Sequence, residues 1–209
     1  VGAVEAERHV NWFALEKAAE RPGCPVCTIV VDRSRRYIDN MLFEHVSDRG
    51  FRAAYRASLG FCREHARDLE SFRDGLAVAI LGSDALCEYL SFLERGKSAR
   101  ARGRCPACAE TERVEREFLS FILSTSDPEF VAFFEKSEGL CVPHYARALA
   151  IGRPPAWLRD FQLGRFRSLA SRTREFIERS AWGRQEDFAR LSDADKTVWK
   201  ELARALRGD

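Results

Sequence analysis

The chain has 209 residues, 45% of them apolar, enough for a hydrophobic core in one large domain or in two halves of about 100 residues each. Its 34 Lys and Arg nearly balance 32 Asp and Glu, and the formal charge of +2 gives no grounds for a nucleic-acid or a membrane partner, so neither is expected. No apolar run of about 18 residues stands out, which predicts no transmembrane helix, and Val1 to Glu20 lacks the basic start and apolar block of a signal peptide.

Helical periodicity runs through the sequence, and strand alternation is nearly absent. Ala3 to Ala19 reads as a first helix with Ala6, Val10, Phe13 and Ala14 on one face, ended by Pro22-Gly23. Pro25 sits where a first helical turn accepts proline. The helix that follows runs to about Val46, with Val30, Tyr37, Ile38, Met41 and Leu42 inward. Asp48 can cap a short helix bearing Phe51, Ala54 and Tyr55, which Gly60 ends. Cys62 to about Phe72 forms the next helix. Leu76 to Leu93 forms another, either continuous or broken at Gly82-Ser83-Asp84. Arg95 to Arg104 is basic and contains glycine, so it reads as a solvated linker.

Beyond it the pattern repeats. A helix follows Cys108 with Val114, Phe118, Phe121 and Ile122 inward, and Asp127-Pro128 opens a short helix with Phe130, Phe133 and Phe134. Cys141 to Ala150 forms the next helix. Pro143 within it requires Cys141 to stand at the very start. Ala156 to Ala181 is a long helix, and Trp157 reads as core. A final helix is capped at Ser192 and buries Val198, Leu202 and Leu206. For Trp182 and Trp199 the sequence leaves two readings open, core or docking patch, with the core reading favoured.

The repeat is most explicit at the cysteines. Cys24-Pro25-Val26-Cys27 recurs as Cys105-Pro106-Ala107-Cys108, and Gly60-Phe61-Cys62-Arg63-Glu64-His65 recurs as Gly139-Leu140-Cys141-Val142-Pro143-His144. Core positions match as well: Tyr37 with Phe118, Leu42 with Leu123, Asp48 with Asp127, Phe51 with Phe130 and Tyr55 with Phe134. The fold expected is therefore all-α, an antiparallel helical bundle made by tandem duplication of a unit of about 80 residues. Its parts are 1–95, a basic linker at 96–104, and 105–209.

Cys-x-x-Cys sets two thiolates about 4 Å apart where the backbone turns, within reach of one ion. Cys-x-x-His puts both groups on one face of a helix. Within each half this gives a Cys3His set: Cys24, Cys27, Cys62 and His65, then Cys105, Cys108, Cys141 and His144. The spacing does not exclude an exchange of ligands between the halves. Thiolate with imidazole in a closed four-ligand set points to structural zinc, two per chain. Iron–sulfur clusters are the alternative cofactor. Cys87 has no counterpart and reads as a small buried hydrophobe. His9 and His45 are unmatched and carry no assigned role.

Other chemistry finds little support. Thr28 and Ala109 stand where haem attachment needs His. There is no phosphate loop, nucleophile elbow or His-Glu-x-x-His helix. The acid pairs Glu115/Glu117 and Glu175/Glu178 lie among arginines and read as solvated ion-paired faces. Cys-Pro-x-Cys resembles the reactive dithiol of thioredoxin-like proteins, but the strands of their scaffold are missing. A thiol–disulfide redox protein is thus the enzyme-class alternative.

The duplicated CPxC and GxCxxH blocks, the long helical spacers and the Trp-containing final helix from Thr197 to Leu206 resemble an uncharacterised family of bacterial and archaeal proteins. The resemblance covers nearly the whole chain, and its four blocks are specific as a set and weak singly. It implies a prokaryotic cytoplasmic protein and carries over no activity. The function expected is that of a non-enzymatic metal-binding interaction or regulatory module with a protein partner.

Overall fold

In a computed structural model the chain is described at residues 10–67, 69–72 and 74–208. Among the described residues every regular element is a helix, with no strand. The elements run α1 (Val10–Ala19), α2 (Pro25–Glu44), α3 (Arg49–Ala57), α4 (Arg63–Ala66), a 3₁₀ turn (Leu69–Ser71), α5 (Gly75–Glu94), α6 (Pro106–Ser124) and α7 (Pro128–Phe134). They continue as α8 (Val142–Ile151), α9 (Ala156–Arg179), α10 (Gln185–Ala189), α11 (Asp193–Lys196) and α12 (Val198–Arg207). Ala6 and His9 lie outside the described residues.

The chain forms two compact units, one from Val1–Ile29 with Arg116–Asp209 and the other from Val30–Glu115. Both boundaries fall inside long helices, α2 and α6, so each unit takes segments from both sequence halves.

The first unit is built on aromatic packing. Trp12 of α1 meets Phe130 and Phe133 of α7 edge-on, with ring centroids 5.4 and 5.5 Å apart. Trp157 of α9 packs on Phe130 and Phe134 while its indole N–H donates to the Thr125 carbonyl. On α1 the inward residues are Asn11, Trp12, Leu15 and Ala18, and Val10 and Phe13 face outward. The expected face is therefore rotated, because Trp12 seats on α7 and carries Leu15 inward with it. Helix α12 packs on α8 and α9, and Arg172 of α9 joins Asp195 and Glu201. Ser192 caps as expected, but the cap serves the short α11, and the chain then breaks at Thr197 before α12 begins. Val198 is buried there, whereas Leu206 is exposed. Trp182 and Trp199 are 98% and 51% exposed, so the favoured core reading fails for both.

The second unit packs Ile38 and Leu42 of α2 with Tyr55 of α3, Phe61, and Ala77 and Leu81 of α5. The helix expected from Cys62 to Phe72 is instead the short α4 followed by a 3₁₀ turn. Ala66, Leu69 and Phe72 all pack on the core, and their strict three-residue spacing suits the 3₁₀ repeat better than 3.6.

Helix α5 runs unbroken, capped by the Asp74 carboxylate on the Ala77 amide. Asp84 does not break it, because its carboxylate turns to Arg52 and Arg56. It also departs from the expected lack of a long apolar run: an 18-residue window of α5 has mean hydropathy 1.6 with only 11% of it buried. By length and composition it is able to cross a membrane. Cys87, on the same helix, is exposed and not a core residue. The 95–104 connection is tied down, since the Arg102 and Gly103 amides both donate to the Ala57 carbonyl and Arg102 pairs with Glu88.

Candidate metal centres

Each Cys-Pro-x-Cys pair stands at the start of a long helix. Pro25 and Pro106 occupy the first positions of α2 and α6, where a missing amide hydrogen costs nothing. Each Cys-x-x-His pair opens with cysteine as the N-cap residue, Cys62 for α4 and Cys141 for α8. Pro143 is thereby tolerated inside the second pair, since it lies in the first turn of α8. The Cys141 thiol accepts from the His144 amide at 3.4 Å.

The approach to each N-cap cysteine is shaped by the same local device. Asp48 caps α3 by accepting from the Phe51 amide, and Asp127 caps α7 by accepting from those of Glu129 and Phe130. The Ser58 and Ser137 hydroxyls then donate to the Tyr55 and Phe134 carbonyls. Gly60 and Gly139 follow with φ of 91° and 73°, a region that favours glycine and turns the chain toward the ligand. A side chain at Gly139 would also strike Gln162 and Phe161, at 3.0 and 3.1 Å.

Eight sulfur and nitrogen donors converge in two groups. Cys24, Cys27, Cys141 and His144 form the first, and Cys62, His65, Cys105 and Cys108 the second. All eight sequence candidates are therefore placed in clusters, but the pairing within each half is not what forms. Each Cys-x-x-Cys meets the Cys-x-x-His of the other half, the exchanged arrangement that spacing left open. Each cluster nonetheless lies wholly inside one compact unit. His45 is in neither cluster and contacts Glu44.

Within each cluster all donor atoms lie within 4.8 Å of one another. In the first, the Cys27 and Cys141 sulfurs are 3.6 Å apart. The Nδ1 atom of His144 is 3.4, 3.2 and 3.2 Å from Cys24, Cys27 and Cys141. In the second, Cys62 and Cys108 are 3.6 Å apart, and Nδ1 of His65 is 3.2, 3.8 and 3.4 Å from Cys62, Cys105 and Cys108. Zinc–sulfur and zinc–nitrogen bonds of ordinary length at a tetrahedral angle give edges of about 3.5 to 3.8 Å. The donor sets therefore fit one four-coordinate ion each, contracted by a few tenths of an ångström at most edges.

The electrostatics agree. Burial opposes ionisation of the Cys24 thiol, but bonds with Cys141, Cys27 and His144 outweigh it and hold it well below its ordinary range. Cys27 moves up, because Cys141 and Cys24 compete for the charge and burial adds to the cost. Burial disfavours the charged ring of His144, yet its bonds to Cys141 and Cys24 prevail and push it up to about 9. In the second cluster burial pushes Cys108 up to about 12, helped by its bond with Cys62. Burial also lowers His65, against the pull of Glu64. Three thiols so close cannot all ionise alone, and a divalent cation relieves that repulsion.

Three supporting residues carry no sequence signature. Gln162 of α9 is fully buried, and its side-chain amide accepts from the Leu140 N–H at 2.9 Å and donates to the Leu140 carbonyl at 2.8 Å, one residue before Cys141. Thr111 places its hydroxyl 3.3 Å from Nε2 of His65. With Nδ1 turned to the three sulfurs and coordinating an ion, Nε2 carries the ring proton and the Thr111 hydroxyl is placed to accept it. At the end of α12, a Cβ on Gly208 would lie 3.1 Å from the Cys141 sulfur and 3.6 Å from Cys27, so the C-terminal turn closes over the first cluster. The four ligands of the first cluster are buried. Cys62, His65 and Cys108 of the second are partly exposed.

No protein-family model matches the chain, and no solved structure matches it. Among curated proteins it is 31% identical over 134 residues to the "Uncharacterized 23.9 kDa protein in xynA 3'region" of Caldicellulosiruptor sp. (strain Rt8B.4). The match covers 60% of this chain and 65% of that protein's length. The chain is thus similar to an uncharacterised bacterial protein, whose name assigns it no activity.

Proposed function

We propose that each cluster holds one structural zinc ion, and that the protein is a non-enzymatic helical module serving interaction or regulation in a prokaryotic cytoplasm. The observation that carries this reading is the closed donor set: three sulfurs and one imidazole nitrogen, mutually within 4.8 Å, with edges near those of a zinc tetrahedron. Four protein ligands leave no position for a reacting water. A cavity of about 20 Å³ beside Cys24 and Cys141 has room for about one water molecule. The matched caps, serines and glycines before Cys62 and Cys141 support a tandem duplication, with halves 1–95 and 105–209 joined by the basic connection 96–104.

The close donor spacing favours a single ion over an iron–sulfur cluster, whose ligands are spread over several irons. Thiol–disulfide chemistry is the second reading, favoured by the partial exposure of Cys62 and Cys108. Elemental analysis of anaerobically purified protein separates these. About two zinc ions per chain is the expected result. Iron in their place, or a metal-free chain with its Cys-x-x-Cys pairs oxidised, overturns the zinc reading.

A further inference from the structure

Helix α5 presents two faces of opposite design. Ala77 and Leu81 point into the core. The two acids in the body of the helix also turn toward their own unit. Asp84 takes two bonds from Arg52, at 2.6 and 2.8 Å, and one from Arg56 at 3.2 Å. Glu88 takes one from Arg102. The outer face is left without charge until Glu94. It exposes Leu76 (74%), Leu86 (58%), Leu93 (50%), Tyr89 and Leu90 (44% each). A solvated helix has the reverse arrangement. Leucines and a tyrosine this exposed make a contiguous patch of several hundred Å², of the size that marks an interaction site.

The pattern on that face is specific. Leu76, Ala79, Ser83, Leu86, Leu90 and Leu93 follow one another at alternating steps of three and four, the seam of a helix that packs on another helix. The seam is complementary to itself when reversed. About a two-fold axis between Asp84 and Ala85, Leu76 faces Leu93, Ala79 faces Leu90 and Ser83 faces Leu86. On the flank Tyr89 faces Gly82, and a Cβ at Gly82 would meet nothing within 4 Å. In three of these four pairs a large side chain stands opposite a small one, and the leucines of the fourth meet at the two ends of the seam, an arrangement that is the same from both copies as an isologous interface requires.

Chain order points to the same kind of cover. The helix that follows the Cys-x-x-His segment in the second half is α9, and α10, α11 and α12 all pack on it. After α5 the chain passes instead through 95–104 into α6, so no corresponding helices follow.

We propose that the outer face of α5 pairs with α5 of a second copy of this chain, antiparallel, in a homodimer. A pair of such faces buries on the order of 1,000 Å², near the lower limit for a specific interface. Insertion of α5 into a bilayer is the competing use of so apolar a helix. It would carry the ion pairs of Asp84 and Glu88 toward hydrocarbon together with Arg52, Arg56 and Arg102.

The test is sedimentation equilibrium of the full-length, metal-loaded protein at concentrations up to about 100 μM, where an interface of this size associates. Wild type is expected as a dimer. The Leu86→Glu/Leu90→Glu variant is expected as a monomer with unchanged helical circular dichroism and metal content, since both side chains are solvent-exposed. Ile80→Cys sets a thiol across from the partner copy's Cys87, so mild oxidation should give a covalent dimer that wild type does not form. A monomeric wild type, a dimer untouched by the double substitution, or a dimer that fails to cross-link overturns the proposal. A monomer that binds phosphatidylglycerol-containing vesicles through this face overturns it in favour of a membrane surface.

Discussion

Gln162 shows how a residue remote from the donors can govern a metal centre. Its side-chain amide satisfies both backbone groups of Leu140 in a fully buried position, and so fixes the peptide that leads into Cys141. Gln162→Leu preserves volume but strands a buried donor and acceptor, at a cost of about 3 kcal/mol. Urea denaturation should report that loss, together with faster metal release from the first cluster. An unchanged midpoint and release rate would mean that the clamp is dispensable. The eight donors themselves were legible from spacing alone, because two residues of separation brings thiols together wherever the chain turns. Gln162 was not, since a lone glutamine in an amphipathic helix looks like any other. Which Cys-x-x-His meets which Cys-x-x-Cys was equally hidden, because both spacers, 28–61 and 109–140, are long enough to return the chain to either partner.

At the scale of elements, caps and prolines were the reliable signals. Asp48, Asp127 and Ser192 all accept from amides two or three residues ahead, and both Cys-Pro pairs begin helices. Asp127 holds α7, whose Phe130 and Phe134 are completely buried. Asp127→Ala should therefore cost about 1 kcal/mol, read as a lowered thermal midpoint. No change in midpoint would show that aromatic packing alone fixes the helix. Faces were harder to read than boundaries. On α1 the periodicity pointed to the face of Val10 and Phe13, and contact between Trp12 and α7 turned another face inward. In α5 the local signal of Gly82-Ser83-Asp84 left a break open, and the ion pairs of Asp84 with Arg52 and Arg56 supply the tertiary context that keeps the helix continuous.

For the whole molecule, the two centres differ in exposure and hence in how firmly they should hold an ion. The first is buried and closed by Gly208 at the end of α12. The second leaves three of its four ligands partly open. A chelator should strip the second centre first, in two resolved steps, and each step should loosen the unit that contains that centre, because metal binding is linked to folding. Simultaneous loss, or earlier loss from the first centre, would contradict this ordering.

The most direct measurement is the metal content of a chain carrying Cys24→Ser, Cys27→Ser, Cys141→Ser and His144→Ala together. All four residues belong to one centre in the crossed arrangement, so the variant should retain about one zinc per chain, bound through Cys62, His65, Cys105 and Cys108. Pairing within each half would place two of the removed ligands in each centre. A variant that binds no metal while its helices remain folded would contradict the crossed arrangement.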